Sequence, residues 1–258
     1  MQYDLDKISQ LLTASPDFTR SGLVYFQEID STNSWLLAQD NVHGKICLAE
    51  NQTAGRGRRH KPWVGESGGS LLISMGWRLD RPYVPGLSLV SGLAVCCALE
   101  DVGIANIKLK WPNDIILRGK KLGGILVESS AGNYVIGIGL NINLTSGVAI
   151  DQPWTDFASE GLECDANHLV AALVNHHHSM IMDLLRQGFN PFVSRWSERD
   201  VLADRSVEIT TATGKQQGIA KGVNDRGELL VQSTDKMLTF SSGVESVRLL
   251  DVISGNRT

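Results

Sequence analysis

Gln52-Thr53-Ala54-Gly55-Arg56-Gly57-Arg58-Arg59-His60-Lys61-Pro62-Trp63 sets four cations into one glycine-hinged, aromatic-ended loop, on a chain of formal net charge −4. A protein with general affinity for polyanions spreads its Lys and Arg over a face. Concentrating Arg56, Arg58, Arg59 and Lys61 in one loop points to a small, highly charged ligand such as a triphosphate. Gly55 and Gly57 are expected to let the backbone turn freely and come close to that ligand, where a Cβ would block it.

Working outward, the flanking segments alternate short apolar runs with turn residues. Val24–Ile29 and Ile46–Glu50 read as strands, the second running into the cationic loop. Between them Asp30-Ser31-Thr32-Asn33 offers a helix cap, with oxygens that could equally face a ligand. Leu71–Trp77 reads as a strand, Gly86–Gly103 as a long buried helix, and 107–111, 115–117, 123–128 and 135–142 as a run of strands. Arg118-Gly119-Lys120 closes a hairpin within that run. Leu169–Leu185 is amphipathic at helical spacing, and Asn190–Arg199 starts a helix with Pro191 in its first turn. After about Asp200 the pattern shifts to five short strands separated by turns, as in a small β-barrel.

At 258 residues, 42% hydrophobic and 20% charged, the chain has the composition of an ordinary globular protein large enough for a sizeable core. The acidic balance argues against nucleic-acid binding as the main task. The longest apolar run, Leu87–Leu99, is interrupted and too short to span a bilayer, so no membrane partner is expected. Cys47, Cys96, Cys97 and Cys164 show no CxxC spacing, and with no signal stretch the expected location is cytoplasmic. His176-His177-His178 cannot converge on a metal, because consecutive helical positions point about 100° apart. There is no GxxxxGK[ST] run and no Gly-x-Ser-x-Gly elbow, so a P-loop and a serine hydrolase are both without support.

A further segment, Lys110-Trp111-Pro112-Asn113-Asp114 through Lys121-Leu122-Gly123-Gly124, places a proline break at a strand mouth. Asn113 and Asp114 are expected on the turn it makes. Lys121 then puts a cation beside a backbone with no side chains in the way. Each motif has a plainer reading by itself: Ser31 as a helix cap, the Arg loop and Lys120-Lys121 as solvated surface, Gly137-Ile138-Gly139 as close strand packing, Trp154 as core.

Taken together, 30–33, 52–63, 110–126 and 137–143 resemble, in order, the catalytic module of the biotin protein ligases, and the likeness extends over roughly residues 20–250. The resemblance implies an α+β fold: a mixed β-sheet with flanking helices, like the class II aminoacyl-tRNA synthetases, followed by a small SH3-like barrel. It divides the chain into a lead-in helix and loop (1–22), a catalytic domain (23–200) and the barrel (201–258). It also implies activation of biotin by ATP to biotinyl-5′-AMP, and transfer to one lysine of a biotin carboxyl carrier domain. By this resemblance Arg58, Lys121 and Asp114 are catalytic. Ser31, Thr32, Asn33, Gln52, Gly55, Arg56, Trp63, Lys121, Gly123 and Gly124 form the biotin site. Arg58, Arg59, Lys61, Asn141, Trp154 and Arg248 meet the nucleotide, and Asp114 helps organise the Mg²⁺ that accompanies ATP. Lys61 and Pro62 depart from the basic residues common at those positions in the family.

Lipoate–protein ligases share this chemistry, and a non-enzymatic biotin-binding protein is the alternative from another class. The neutral polar set Ser31-Thr32-Asn33 with Gln52 suits a ureido ring better than a dithiolane, which would leave those groups unpaired. Many relatives carry an N-terminal DNA-binding domain. Only about 20 residues precede the first expected strand here, so no DNA partner is expected. A homodimer through sheet edges is an open expectation.

Overall fold

The computed structural model describes residues 3–13, 17–63, 65, 67–144, 152–241 and 243–250, the His60 side chain excepted. Helix α1 (Leu5–Leu11) is capped by Asp4, whose carboxylate accepts from the Asp6 and Lys7 amides. Strand β1 (Leu23–Ile29) leads to α2 (Thr32–Leu37) and β2 (Ile46–Gln52). β1 and β2 are parallel, and the stretch containing α2 supplies the crossover such a pair requires. β3 (Ser70–Arg78) follows the cationic loop, then α3 (Leu87–Asp101), β4 (Lys108–Lys110), β5 (Asp114–Leu117), β6 (Lys120–Ser130) and β7 (Asn133–Asn141). These make one seven-stranded mixed sheet of order β1-β2-β3-β7-β6-β5-β4. The expected hairpin is β5–β6: Arg118 (φ 48°) and Gly119 (φ 78°) are both left-handed, as a two-residue type I′ turn demands. Asp114 opens β5 rather than lying on the preceding turn, which ends at Asn113.

The long α4 (Ala166–Gln187) runs from an Asp165 cap to Gly188, and α5 (Val193–Ser197) follows a 3₁₀ turn that contains Pro191. Strands β8 (Ser206–Thr211), β9 (Gly214–Val223), β10 (Leu229–Gln232), β11 (Met237–Phe240) and β12 (Val244–Leu249) form an antiparallel sheet of order β11-β10-β9-β8-β12. The expected α+β architecture, a large mixed sheet with flanking helices followed by a small antiparallel sheet, is the one formed. Its apolar residues join the same buried cluster as the large sheet, and the Trp111 indole N–H donates to Gly227 O across the junction (3.1 Å). Among the described residues no helix is long and apolar enough to cross a membrane.

The period of two along the strands decides where a ligand can go. Ile46, Leu48, Leu71, Ile73, Met75, Ile125, Ile136 and Ile138 share one buried cluster with the apolar residues of α3 and α4. Their neighbours in the strands, Cys47 and Val135, belong to a second cluster with Leu36 of α2. The sheet therefore has a thick helix-covered face and an α2 face. Away from that small cluster the α2 face carries Ser74, Gly124, Gly137 and Gly139, residues that leave room over the sheet.

Candidate active site

That room is an open cavity of about 820 Å³. Its floor is a row of register partners crossing five strands: Leu72, Gly139, Gly124, Asp114 and Lys110. Gly139 has to be glycine because a Cβ there would lie 2.5–2.9 Å from three atoms of the Trp63 ring, so the indole rests directly on the backbone of β7. Gly124 is different: its Cβ would sit 3.5 Å from Trp63, an ordinary contact, and it faces the cavity. Gly123 points to the other side, where a Cβ would run into Gly139 O and Leu140. It is close strand packing and does not line the cavity.

At one end of the cavity lies a neutral polar group. Ser31 caps α2, accepting a long bond from Ser34 N (3.3 Å), and is buried. Gln52 Oε1 accepts both the Thr32 amide (2.8 Å) and its hydroxyl (3.0 Å). Ser74 Oγ lies 2.7 Å from Thr32 Oγ1 and 2.5 Å from Asn33 Oδ1. Asn33 Nδ2 donates to Glu128 Oε2 at 2.7 Å. Asn33 thus lines the cavity while spending its amide on Glu128 and Ser74.

The cationic loop folds back on itself through Gly57 N to Lys61 O (2.7 Å) and Trp63 N to Gly55 O (2.9 Å). Neither Gly55 nor Gly57 has a positive φ; the left-handed residue in this loop is Arg59 (φ 54°). A Cβ at Gly55 would press on Gln52 and Trp63 at 3.0–3.4 Å, and Gly55 does not line the cavity. The loop's cations separate. Arg58 lines the cavity and donates to Val244 O of β12 (3.3 Å). Arg56 is clamped by Glu128 (Nε and Nη2 to Oε1, each 3.1 Å) and by Ser34 Oγ (2.7 Å), so its fork is occupied. Arg59, expected at the polyphosphate, turns away to Glu245 (2.9 Å) and Gly243 O and does not line the large cavity. Lys61 lines the cavity's rim and is exposed.

In the middle stands Lys121, whose ammonium is 2.6 Å from Asp114 Oδ1 with both side chains largely buried. Backbone bonds Lys121 N to Pro153 O and Thr155 N to Lys121 O (2.9 Å each) lay Trp154 alongside. Asn141 Nδ2 donates to Thr155 O (3.0 Å), so Asn141 holds that segment as well as lining the cavity. Arg248 reaches the cavity from β12.

The cations lining the cavity are Arg56, Arg58, Lys61, Lys110, Lys121, Arg205 and Arg248, against Asp114 and Glu245 among the described residues. Burial lowers the pKa of Arg58, with Arg59 adding repulsion and Asp114 opposing it. Burial also lowers that of Lys110, with Lys121 and Arg248 adding to the effect against Asp114. Burial outweighs the help of Asp114 at both groups, so an anion placed beside them would be favoured. Asp114 is already paired, and no group of three or more His, Cys, Asp or Glu able to hold a metal occurs among the described residues.

The sequence reading missed Lys110, Glu128, Ser74 and Arg205. Lys110 had a faint signal, since Lys108-Leu109-Lys110 alternates around a buried leucine, but only the register opposite Asp114 puts it over the cavity.

Two family models match the chain: the biotin/lipoate A/B protein ligase family over residues 23–144 and the biotin protein ligase C-terminal domain over 204–248. The bifunctional ligase/repressor BirA of Salmonella typhimurium is 33% identical over 95% of this chain and 81% of its own length. The chain belongs to the biotin protein ligases. The biotin–[acetyl-CoA-carboxylase] ligase of Mycobacterium tuberculosis is 31% identical over 83% of this chain and 84% of its own. The structure of the Aquifex aeolicus biotin protein ligase in complex with biotin and ATP superimposes with a TM-score of 0.80 at 26% identity, covering 88% of this chain and 99% of that one. As a biotin protein ligase the chain is an enzyme, and the cavity between α2, the loop and β12 is its candidate active site.

Proposed function

We propose that this ligase uses ATP to convert biotin to biotinyl-5′-AMP and then transfers the biotinyl group to a lysine of a biotin carrier domain. The observation that carries the reading is the division of one cavity into a neutral polar end and a cationic end, with Lys121 between them. A ureido ring needs neutral donors and acceptors, which Ser31, Thr32 and Gln52 supply, with Trp63 and the Gly124–Gly139 floor for the apolar ring and chain. ATP needs cations, which Arg58, Lys61, Lys110, Lys121, Arg205 and Arg248 supply, and Trp154 and Asn141 border the space left for the nucleoside.

In the first step the biotin carboxylate oxygen attacks the α-phosphorus and pyrophosphate leaves. Two anions must approach, and further charge gathers on the phosphoryl oxygens. Lys121 and Arg58, fixed by Asp114 and by Val244 O, supply positive charge there without reorganising, which lowers the barrier. Mg²⁺ would enter with ATP as part of the substrate, since Asp114 is engaged by Lys121. In the second step the carrier lysine's neutral amine attacks the mixed-anhydride carbonyl, AMP leaves and a proton passes to solvent. Positioning of the amine carries this step. Residues 126–130 of β6 have β7 on one side and no β5 partner on the other, and a smaller pocket lies beside them against Arg56–Arg59. The carrier docks along this edge by strand pairing, and the same edge would serve a homodimer.

The test is pyrophosphate release with ATP, Mg²⁺ and either biotin or lipoate, without a carrier. Release with biotin alone is expected. Release with lipoate alone would move the chain to the lipoate ligases, and biotin binding without release would leave a binding protein.

A further inference from the structure

Glu128 lies outside the groups that touch biotin or nucleotide in this reading, yet more of the site hangs from it than from any of the loop cations. Its Oε1 accepts Arg56 Nε and Nη2 (3.1 Å each), and its Oε2 accepts Arg56 Nη2 (3.2 Å) and Asn33 Nδ2 (2.7 Å). Arg56 belongs to the cationic loop, Asn33 to α2 and Glu128 to β6, so one carboxylate joins the three elements that bound the polar end of the cavity.

The bond to Asn33 also sets a direction. A carboxylate only accepts, so Asn33 must present its NH₂ to Glu128 and its Oδ1 to Ser74. Gly137 leaves the space this amide fills, since a Cβ there would collide with that oxygen. At the other end of the chain of bonds, Gln52 Oε1 is held by the Thr32 backbone N–H (2.8 Å). The Ser74 and Thr32 hydroxyls therefore sit between two acceptors whose orientations are both decided, one by a backbone donor and one by Glu128. Arg56 and Glu128 each keep about a quarter of their side-chain surface, and a simple ion pair of that exposure contributes little. A fork held through two nitrogens and shared with a buried amide fixes geometry as well as charge.

We infer that Glu128 is a positioning residue for biotin: acting through Arg56 and Asn33, it holds the cationic loop over the cavity and orients the polar chain that receives the ureido ring. This rests on the biotin-adenylating reading above. Glu128→Gln keeps the shape but offers an NH₂ where Arg56 and Asn33 already donate. Leaving a charged hydrogen-bond set unmatched is worth about a ten- to hundredfold change in an equilibrium constant.

The experiment compares the full-length parent, Glu128→Gln, Glu128→Asp, Arg56→Gln and the double Arg56→Gln/Glu128→Gln. Biotin affinity by calorimetry, KM for biotin and for ATP by pyrophosphate release, labelling of bystander proteins and melting temperature are measured. The expected result is a rise of about ten- to hundredfold in Kd and KM for biotin in Glu128→Gln, a smaller change in KM for ATP, and more bystander labelling. Glu128→Asp recovers part of the loss, and the double variant is no worse than the worse single one. Parental KM and retention in Glu128→Gln, or additive losses in the double variant, would overturn the inference. So would a fall in melting temperature with KM unchanged, the mark of a purely structural residue. If the parent releases no pyrophosphate, the adenylation reading fails, while calorimetric binding of biotin to the same variants still decides the role of Glu128.

Discussion

Two glycines on neighbouring strands, Gly124 and Gly139, face each other in register, and adding one methyl group to each should have opposite results. In Gly139→Ala the new Cβ falls 2.5, 2.7 and 2.9 Å from Trp63 Cζ2, Cε2 and Cη2, where ordinary contact begins at 3.4 Å. The strand cannot retreat, since β7 is bonded on both sides, to β3 and β6. Trp63 must yield by roughly 1 Å, and such overpacking costs about 1–3 kcal/mol. Because Trp63 ends the loop, the strain is relieved by lifting the loop, so the cost falls on the ligand site and not on the fold. Biotin should bind about 5- to 150-fold more weakly, with a melting temperature lowered by at most a few degrees. In Gly124→Ala the Cβ meets Trp63 at 3.5 Å and Lys121 Cε at 3.6 Å, so the wall stays in place and the melting temperature is unchanged. The decisive arm is Trp63→Phe, which removes the ring atoms that collide. In that background Gly139→Ala should lose little further affinity by calorimetry. An equal loss in both backgrounds, or no loss in either, would refute the claim that the cost runs through Trp63.

Lys121→Met strips the ammonium from the cavity and leaves Asp114, 16% exposed, without its partner. Single-turnover pyrophosphate release should slow by about 10²–10³-fold, and a loss under tenfold would contradict the role given to Lys121. Arg58→Gly should loosen retention of the adenylate, seen as biotinylation of bystander proteins, whereas labelling confined to the carrier domain would sink the idea. Acid stability offers a paired test. Burial lowers the His177 pKa from 6.5 to about 4, so between those values only the unfolded chain takes up the proton and stability falls as pH falls. Burial raises the Asp200 pKa from 3.8 to about 6, so in nearly the same window the native state holds the extra proton and stability rises as pH falls. Each contributes about 3 kcal/mol of opposite sign. Urea unfolding from pH 4 to 7 should show His177→Leu gaining stability relative to the parent as pH falls and Asp200→Asn losing it; parallel profiles would discount both shifts.

The strands were legible because a strand's period of two leaves its mark in order along the chain. Gly137-Ile138-Gly139 by itself reads as close strand packing, and only the register of β7 with β3 and β6 shows that its glycine face is open. The type I′ hairpin at Arg118-Gly119 and the Asp30–Asn33 cap were legible for the same reason, their causes being local. The assignment of the four loop cations was not. Arg56, Arg58 and Arg59 are the same residue type within one turn, and what separates them is a partner far away in sequence. Glu128 lies 72 positions from Arg56, and Glu245 lies 186 from Arg59. Lys110 escaped notice because a strand of three residues carries almost no periodic signal, while its place over the cavity comes from pairing with Asp114.

By itself the sequence determined most of the element types and a store of cations and neutral polar groups whose order along the chain resembles the ligases of this family. Those properties follow from side-chain volume, backbone preference and charge, and each residue carries them wherever it lies. Only the tertiary structure decided which cation faces the cavity, which is spent on a carboxylate, and which polar amide is already satisfied. A hydrogen bond or ion pair requires two groups within about 3 Å in a set direction, and that condition is met by the packing of β6, α2, the loop and β12 around one space.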